Sequence, residues 1–272
     1  MTPAADRVAH LLACLLVLLA SSPLASGCGS SRRGATLLTG TAGDGLAVHS
    51  GALIVNTATS LAIQAALAAM ATPTFPPVQG GPTVRVSGTA TNGSVELDFG
   101  SSFSSGVSIS GVRMRGTVEA AFNRSGNSAT ITVTYPTYTG ATDELGDAEV
   151  GGTLTFTTTL GSSTATGPLT GQVSLIAAEA ITYTPNETAS VTVQSGVTTF
   201  QLSGSATSVH SVRGTWTLSF GNLQSQLAPL QFVFPGTVSV VQGSTSVTLS
   251  FTSQDQGNLQ VNGGSTQSFD LR

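Results

Sequence analysis

From Thr83 to the C-terminus, apolar residues alternate with hydroxyl-bearing or charged ones. The pattern recurs in Val84-Arg85-Val86, Val95-Glu96-Leu97-Asp98-Phe99, Ile131-Thr132-Val133-Thr134-Tyr135, Trp216-Thr217-Leu218-Ser219-Phe220, Leu230-Gln231-Phe232 and Val247-Thr248-Leu249-Ser250-Phe251. A period of two is that of a pleated strand, so each stretch puts its apolar residues on one face and Thr and Ser on the other. Gly, Asn, Ser and Pro interrupt the alternation every eight to fifteen residues, the cadence of consecutive hairpins. Such a sheet has a dry side and a wet side. The expectation for residues 83–272 is therefore an all-β body: a large curved antiparallel meander sheet or an open barrel, accompanied by one N-terminal helix.

A local repeat, apolar-x-Gly-Thr-apolar, supports curvature. It occurs at Met114–Val118, Val150–Phe156 (with a doubled glycine), Val212–Leu218 and Phe234–Val240, at spacings too irregular for a β-helix or a propeller. A glycine in that position is expected to mark a bulge or kink where a long strand bends around the core.

The texture before the sheet is different. Residues 46–72 are rich in good helix formers with apolar residues at Leu53, Leu61, Ala65 and Leu67, and helix is expected there, most firmly from Thr57 to Ala71. Asn56 or Thr57 would cap its start, and Pro73, Pro76 and Pro77 would stop it. So apolar a helix needs a sheet or another partner to lie against. Residues 28–45, with many Gly, Ser and Thr, read as a flexible tether.

Composition excludes one class of function. Only 8% of residues are charged, none is lysine, and the arginines are scattered, so no basic stripe can track a phosphate backbone and nucleic acid is not an expected partner. The net charge of −4 names no other partner.

Residues 1–27 have the order of an export signal: Arg7, an apolar run from Val8 to Ala20, then small residues ahead of Cys28. Thirteen residues of helix rise only about 20 Å, short of the roughly 30 Å hydrocarbon core of a bilayer. The sequence Leu24-Ala25-Ser26-Gly27-Cys28 resembles the lipobox of bacterial lipoproteins, with Leu24 one place further upstream than the commonest pattern. The resemblance implies that the leader is cut before Cys28 and that this thiol carries a diacylglyceryl group. The other cysteine, Cys14, would leave with the leader, so the exported chain could form no internal disulfide. Lipobox proteins carry several acyl chains, enough to hold a protein stably on a membrane. At the position after Cys28, Gly29, rather than Asp, resembles lipoproteins sorted to the outer membrane, and the resemblance implies that address.

Candidate chemistry is sparse. With no free thiol and no Gly-x-Ser-x-Gly elbow, no catalytic residue is assigned; His49 and His210 are the histidines outside the leader, and His210 reads as a solvated or hydrogen-bonded residue at a strand end. Glu96 and Asp98 share the wet face of one strand at a spacing of roughly 7 Å, which would suit a glycosidase pair. Asp143, Glu144, Asp147 and Glu149 crowd one loop and are the candidate oxygen ligands for Ca²⁺. Trp216, Tyr135 and Tyr138 are candidate binding aromatics for a sugar or lipid, with core packing as the alternative role.

The functional expectation is a lipid-anchored protein of the bacterial cell envelope with a structural or binding role, facing an unspecified protein or glycan partner. Two alternatives stay open: a periplasmic carrier of an apolar ligand, and a polysaccharide-active enzyme using the carboxylates above.

Overall fold

The computed structural model describes residues 40–71, 81–104, 107–109, 111–161, 163–194, 197–227, 230–232, 236–251 and 256–270. The leader, Cys28 and Phe234 lie outside them. Among the described residues there are one helix and seventeen strands, and the strands form a single sheet.

Helix α1 is Thr41–Ala71. It begins well before Thr57, taking in the last residues of the expected tether, and Asn56 and Thr57 are buried mid-helix positions rather than caps. Its apolar side chains are spread around the whole circumference, as expected of a helix enclosed on all sides. Val48, Ile54, Val55, Ala58, Ala62, Ile63 and Ala66 are all fully buried. The segment Ala42–Ala71 is long and apolar enough to cross a membrane, but its apolar surface is consumed inside the body.

The sheet runs through β1 (Thr83–Gly88), β2 (Asn92–Asp98), β3 (Val107–Ile109), β4 (Val112–Arg115), β5 (Thr117–Ser125), β6 (Ser128–Thr134), β7 (Thr139–Thr142), β8 (Gly146–Leu160) and β9 (Thr164–Ile176). It continues as β10 (Ala180–Gln194), β11 (Val197–His210), β12 (Gly214–Leu227), β13 (Leu230–Phe232), β14 (Gly236–Gln242), β15 (Thr245–Phe251), β16 (Gln256–Val261) and β17 (Thr266–Asp270). Every pairing is antiparallel, as a meander of hairpins requires. Several neighbours are one long strand interrupted: β5 pairs with β2 while β4 pairs with β3, and β6 and β7 both pair with β8. Among the described pairings β1 bonds only to β2 and β17 only to β16, so the sheet is open.

Helix α1 packs against strands from β2 round to β15, which places it on the concave side of the curled sheet. At 31 residues it is about 46 Å long, close to the span of the fifteen-residue strands β8 and β10. Trp216, Tyr138, Tyr183, Phe156 and Phe200 fill the layer between them. The opposite face carries Thr, Ser and Gln, the reverse of the apolar belt that a membrane-spanning barrel turns outward.

Two of the repeat glycines bend strands as the sequence suggested. Gly116 has φ 83° at the junction of β4 and β5, and Gly152 has φ 109° within β8, where an added Cβ would meet the Gln172 carbonyl oxygen at 2.5 Å. The other two stand elsewhere: Gly214 opens β12 after a turn, and Gly236 opens β14.

The sheet and helix approach closely through glycine. A Cβ on Gly140 of β7 would lie 2.4 Å from Ile54 of α1, whereas one on Gly151 would meet only the Ser174 hydroxyl at 3.5 Å. Gly140→Ala is expected to cost about 1–3 kcal/mol by overpacking. Thermal melts of Gly140→Ala beside Gly151→Ala check this; equal midpoints would contradict the tight helix–sheet contact.

Candidate functional site

Two polar clusters are built into the otherwise apolar interior. The first is at the end of the sheet where α1 begins. His210 and Ser208 stand two apart on β11, so both side chains point inward, and both are buried. Ser208 Oγ lies 2.9 Å from His210 Nε2, and His210 Nδ1 lies 3.1 Å from Glu179 Oε1. Glu179 sits in the turn between β9 and β10, where its Oε2 accepts from the Val212 amide at 3.3 Å and Oε1 pairs with the Arg213 guanidinium. Arg213 also donates through Nε to Asp44 Oδ1 of α1 at 2.9 Å. Its carbonyl oxygen accepts from Trp216 Nε1 at 3.0 Å and from Gln242 Nε2 at 2.7 Å.

Burial holds the His210 pKa down at about 4, with the Asp44 charge opposing weakly, so the imidazole is neutral. Arg213 neutralises Glu179, which explains why a carboxylate at contact distance does not charge the ring. A neutral ring donating from Nδ1 to the carboxylate and accepting the Ser208 proton at Nε2 has the hydrogen-bond order of a serine–histidine–carboxylate relay. Ser208 is nevertheless 1% exposed and flanked across the sheet by Tyr183 and Trp216, so a substrate has no path to its Oγ in this conformation. What the cluster does in place is tie the first turn of α1 to two hairpin turns.

The second cluster lies deeper. Asn56 Nδ2 donates to Tyr183 Oη at 3.1 Å, and Tyr183 donates to Glu187 Oε1. Thr59 Oγ1 is 2.6 Å from Tyr135 Oη, and Tyr138 donates to the Ile54 carbonyl oxygen at 3.1 Å. Burial pushes the Glu187 pKa up to about 8, despite the hydrogen bond from Tyr183. It also raises the phenols of Tyr135, Tyr138 and Tyr183. Glu187 Oε2 and Asn56 Oδ1 are buried with no hydrogen-bond partner in the protein.

The residues singled out from the sequence fall differently. Tyr135, Tyr138 and Trp216 are 5%, 0% and 1% exposed: the candidate binding aromatics are core residues, Trp216 on an inward position of β12 and the two tyrosines in the connection between β6 and β7. Glu96 and Asp98 do share an outer face, but Arg85 on the neighbouring strand engages them at 2.7 Å and 3.9 Å, and Asp98 also accepts the Gly100 amide at 2.9 Å. That is a cross-strand ion pair, not a cleft with opposed carboxyls. The candidate calcium ligands do not converge either. Glu144 accepts from Ser50 of α1 at 3.1 Å, Asp143 is exposed in the turn, and Asp147 and Glu149 face outward from β8. Among the described residues no group of three or more His, Cys, Asp or Glu is placed to hold a metal ion. His210 is hydrogen-bonded at its strand end, as read, but is enclosed rather than solvated. Comparison with protein-family models, curated proteins and solved structures found no match.

The pH response follows from these groups. Glu187, with its folded pKa raised from 4.5 to about 8, favours the folded state most below pH 4.5, and that contribution is lost as pH rises through 8. His49 and His210, both lowered from 6.5 to about 4, act oppositely: their contribution is present above 6.5 and lost as pH falls toward 4. Glu187→Gln is therefore expected to raise the melting temperature above wild type at pH 8–9, by roughly 2–4 kcal/mol of stability, with the advantage gone by pH 5. Melts of both proteins across pH 5–9 check it, and a gap that does not change with pH would show that Glu187 is not buried as described.

Proposed function

We propose that this chain is a lipid-anchored protein of the bacterial cell envelope, held by acyl chains on Cys28 and sorted to the outer membrane, with its β body serving a structural or binding role. The observation that carries the reading is the run Leu24-Ala25-Ser26-Gly27-Cys28 directly behind the apolar stretch Val8–Ala20. Two features of the body support it. Its outer face is clad in Thr and Ser, which suits a protein that sits beside a membrane in water. Its concave side, where a carrier would lodge an apolar ligand, is taken by α1. The carboxylates that a polysaccharide-active enzyme would use are dispersed or ion-paired.

Intact-mass measurement on protein purified from membranes is the direct test. Wild type is expected to begin at Cys28 and to carry acyl chains, and Cys28→Ala to lose both the added mass and membrane retention. A chain recovered in the soluble fraction with an unmodified Cys28 thiol would remove the proposal.

A further inference from the structure

Among the described residues, the large apolar side chains left exposed are Val86, Ile176, Val209, Val212 and Val241. Four of these five gather at one end of the sheet, on the contiguous strands β9 to β14. Val212, 78% exposed, is in the turn between β11 and β12; Ile176, 63% exposed, ends β9 beside the next turn. Val209 faces outward between Thr182 and Thr215, and Val241 between Thr217 and Ser246. Hydrogen bonds make these tips one surface: the Ser211 amide donates to the Ala180 carbonyl at 2.9 Å, and Gln242 reaches the Arg213 carbonyl.

This is also the end at which the chain enters the body, because Arg213 of that turn holds Asp44 in the first turn of α1. Residues 28 to 40 reach at most about 45 Å when extended, so an acylated Cys28 keeps the bilayer within about that distance of these tips. Charge narrows the kind of surface. From β9 to β14 the charged residues are Glu179 and Arg213, paired with each other, and the enclosed Glu187. Asp147 and Glu149 of β8, with Asp143 and Glu144 in the turn before it, border the patch on that one side, Glu149 standing opposite Ile176. An uncharged apolar tip with acids on one flank fits a zwitterionic lipid interface and gains nothing from anionic headgroups.

We propose that the hairpin tips carrying Ile176, Val209, Val212 and Val241 rest on the surface of the membrane that anchors the protein, fixing the β body upright over its tether. The inference relies on the lipid anchor proposed above. Its test uses the acylated full chain in phosphatidylcholine–phosphatidylethanolamine vesicles, with an environment-sensitive fluorophore at Val212→Cys or, at the opposite end of the sheet, Asn127→Cys. Bromine-labelled lipids are expected to quench the Val212 site at least twofold more than the Asn127 site. Added phosphatidylglycerol should leave this difference unchanged. Ile176→Ser with Val241→Thr should weaken the quenching at position 212 while the protein still floats with the vesicles. Equal quenching at both sites on protein that floats would overturn the docking and leave the anchor standing. Undiminished quenching in the double variant would also overturn it, since the named side chains would not be the contact. Protein that carries no acyl chain and does not float would overturn the anchor, and this docking with it.

Discussion

A helix of 31 residues with apolar side chains on every side cannot be left on a surface. Each Leu, Ile or Val withdrawn from water contributes about 1.5–3 kcal/mol, and α1 presents such residues around its full circumference. A flat sheet covers one side only. The strands must therefore be long enough to match the helix and bent enough to pass around it, and the sheet meets both demands. The thirteen- to fifteen-residue strands β8 to β12 supply the length. Gly152 and Gly171, on adjacent strands with φ 109° and 119°, supply part of the curvature, since no other residue takes that backbone without strain.

Apolar packing alone would let such a helix turn about its axis or slide, and its polar residues prevent this. Asn56 on Tyr183, Thr59 on Tyr135, Ser50 on Glu144 and Asp44 on Arg213 fix it to four separate parts of the sheet. Two further hydroxyls bond back to the helix itself, Thr57 to the Leu53 carbonyl and Ser60 to that of Thr57, and so cost little to bury. Glu187 is the exception. It bonds the tyrosine that holds Asn56, yet one of its oxygens is unmatched, so the contact that orients the helix also carries an electrostatic cost that grows as the carboxyl ionises.

The strands were legible because the alternation is clean and Thr and Ser fill nearly every outward position. The start of α1 was not, because residues 41–45 belong to the Gly-, Ser- and Thr-rich stretch that reads as a tether, and Asn56 and Thr57 read as caps when taken locally. Tertiary packing reverses that reading: Gly45 is where Val247 comes close, and His49 lies against Phe251. The polar clusters were missed for a related reason. In β10 the inward positions run Ile181, Tyr183, Pro185, Glu187, Ala189, Val191, so counting by two places a carboxyl inside, and the same count on β11 puts Ser208 and His210 inside. Glu179 offered no such signal. It meets His210 across 31 residues from a turn, a contact that only the hairpin register creates.

The open sheet is blunted at both of its terminal strands. β1 is six residues long, and its Arg85 is drawn back over β2 by Glu96 and Asp98. β17 is five residues long, with exposed Thr266, Gln267 and Ser268. Short, polar or charge-bearing edges are poor templates for another chain's strand. With so few charges elsewhere, solvation of the outer face falls mainly on the Thr and Ser hydroxyls that fill most outward positions. This is why a cluster of bare aliphatic tips at a single end stands out against the rest of the surface.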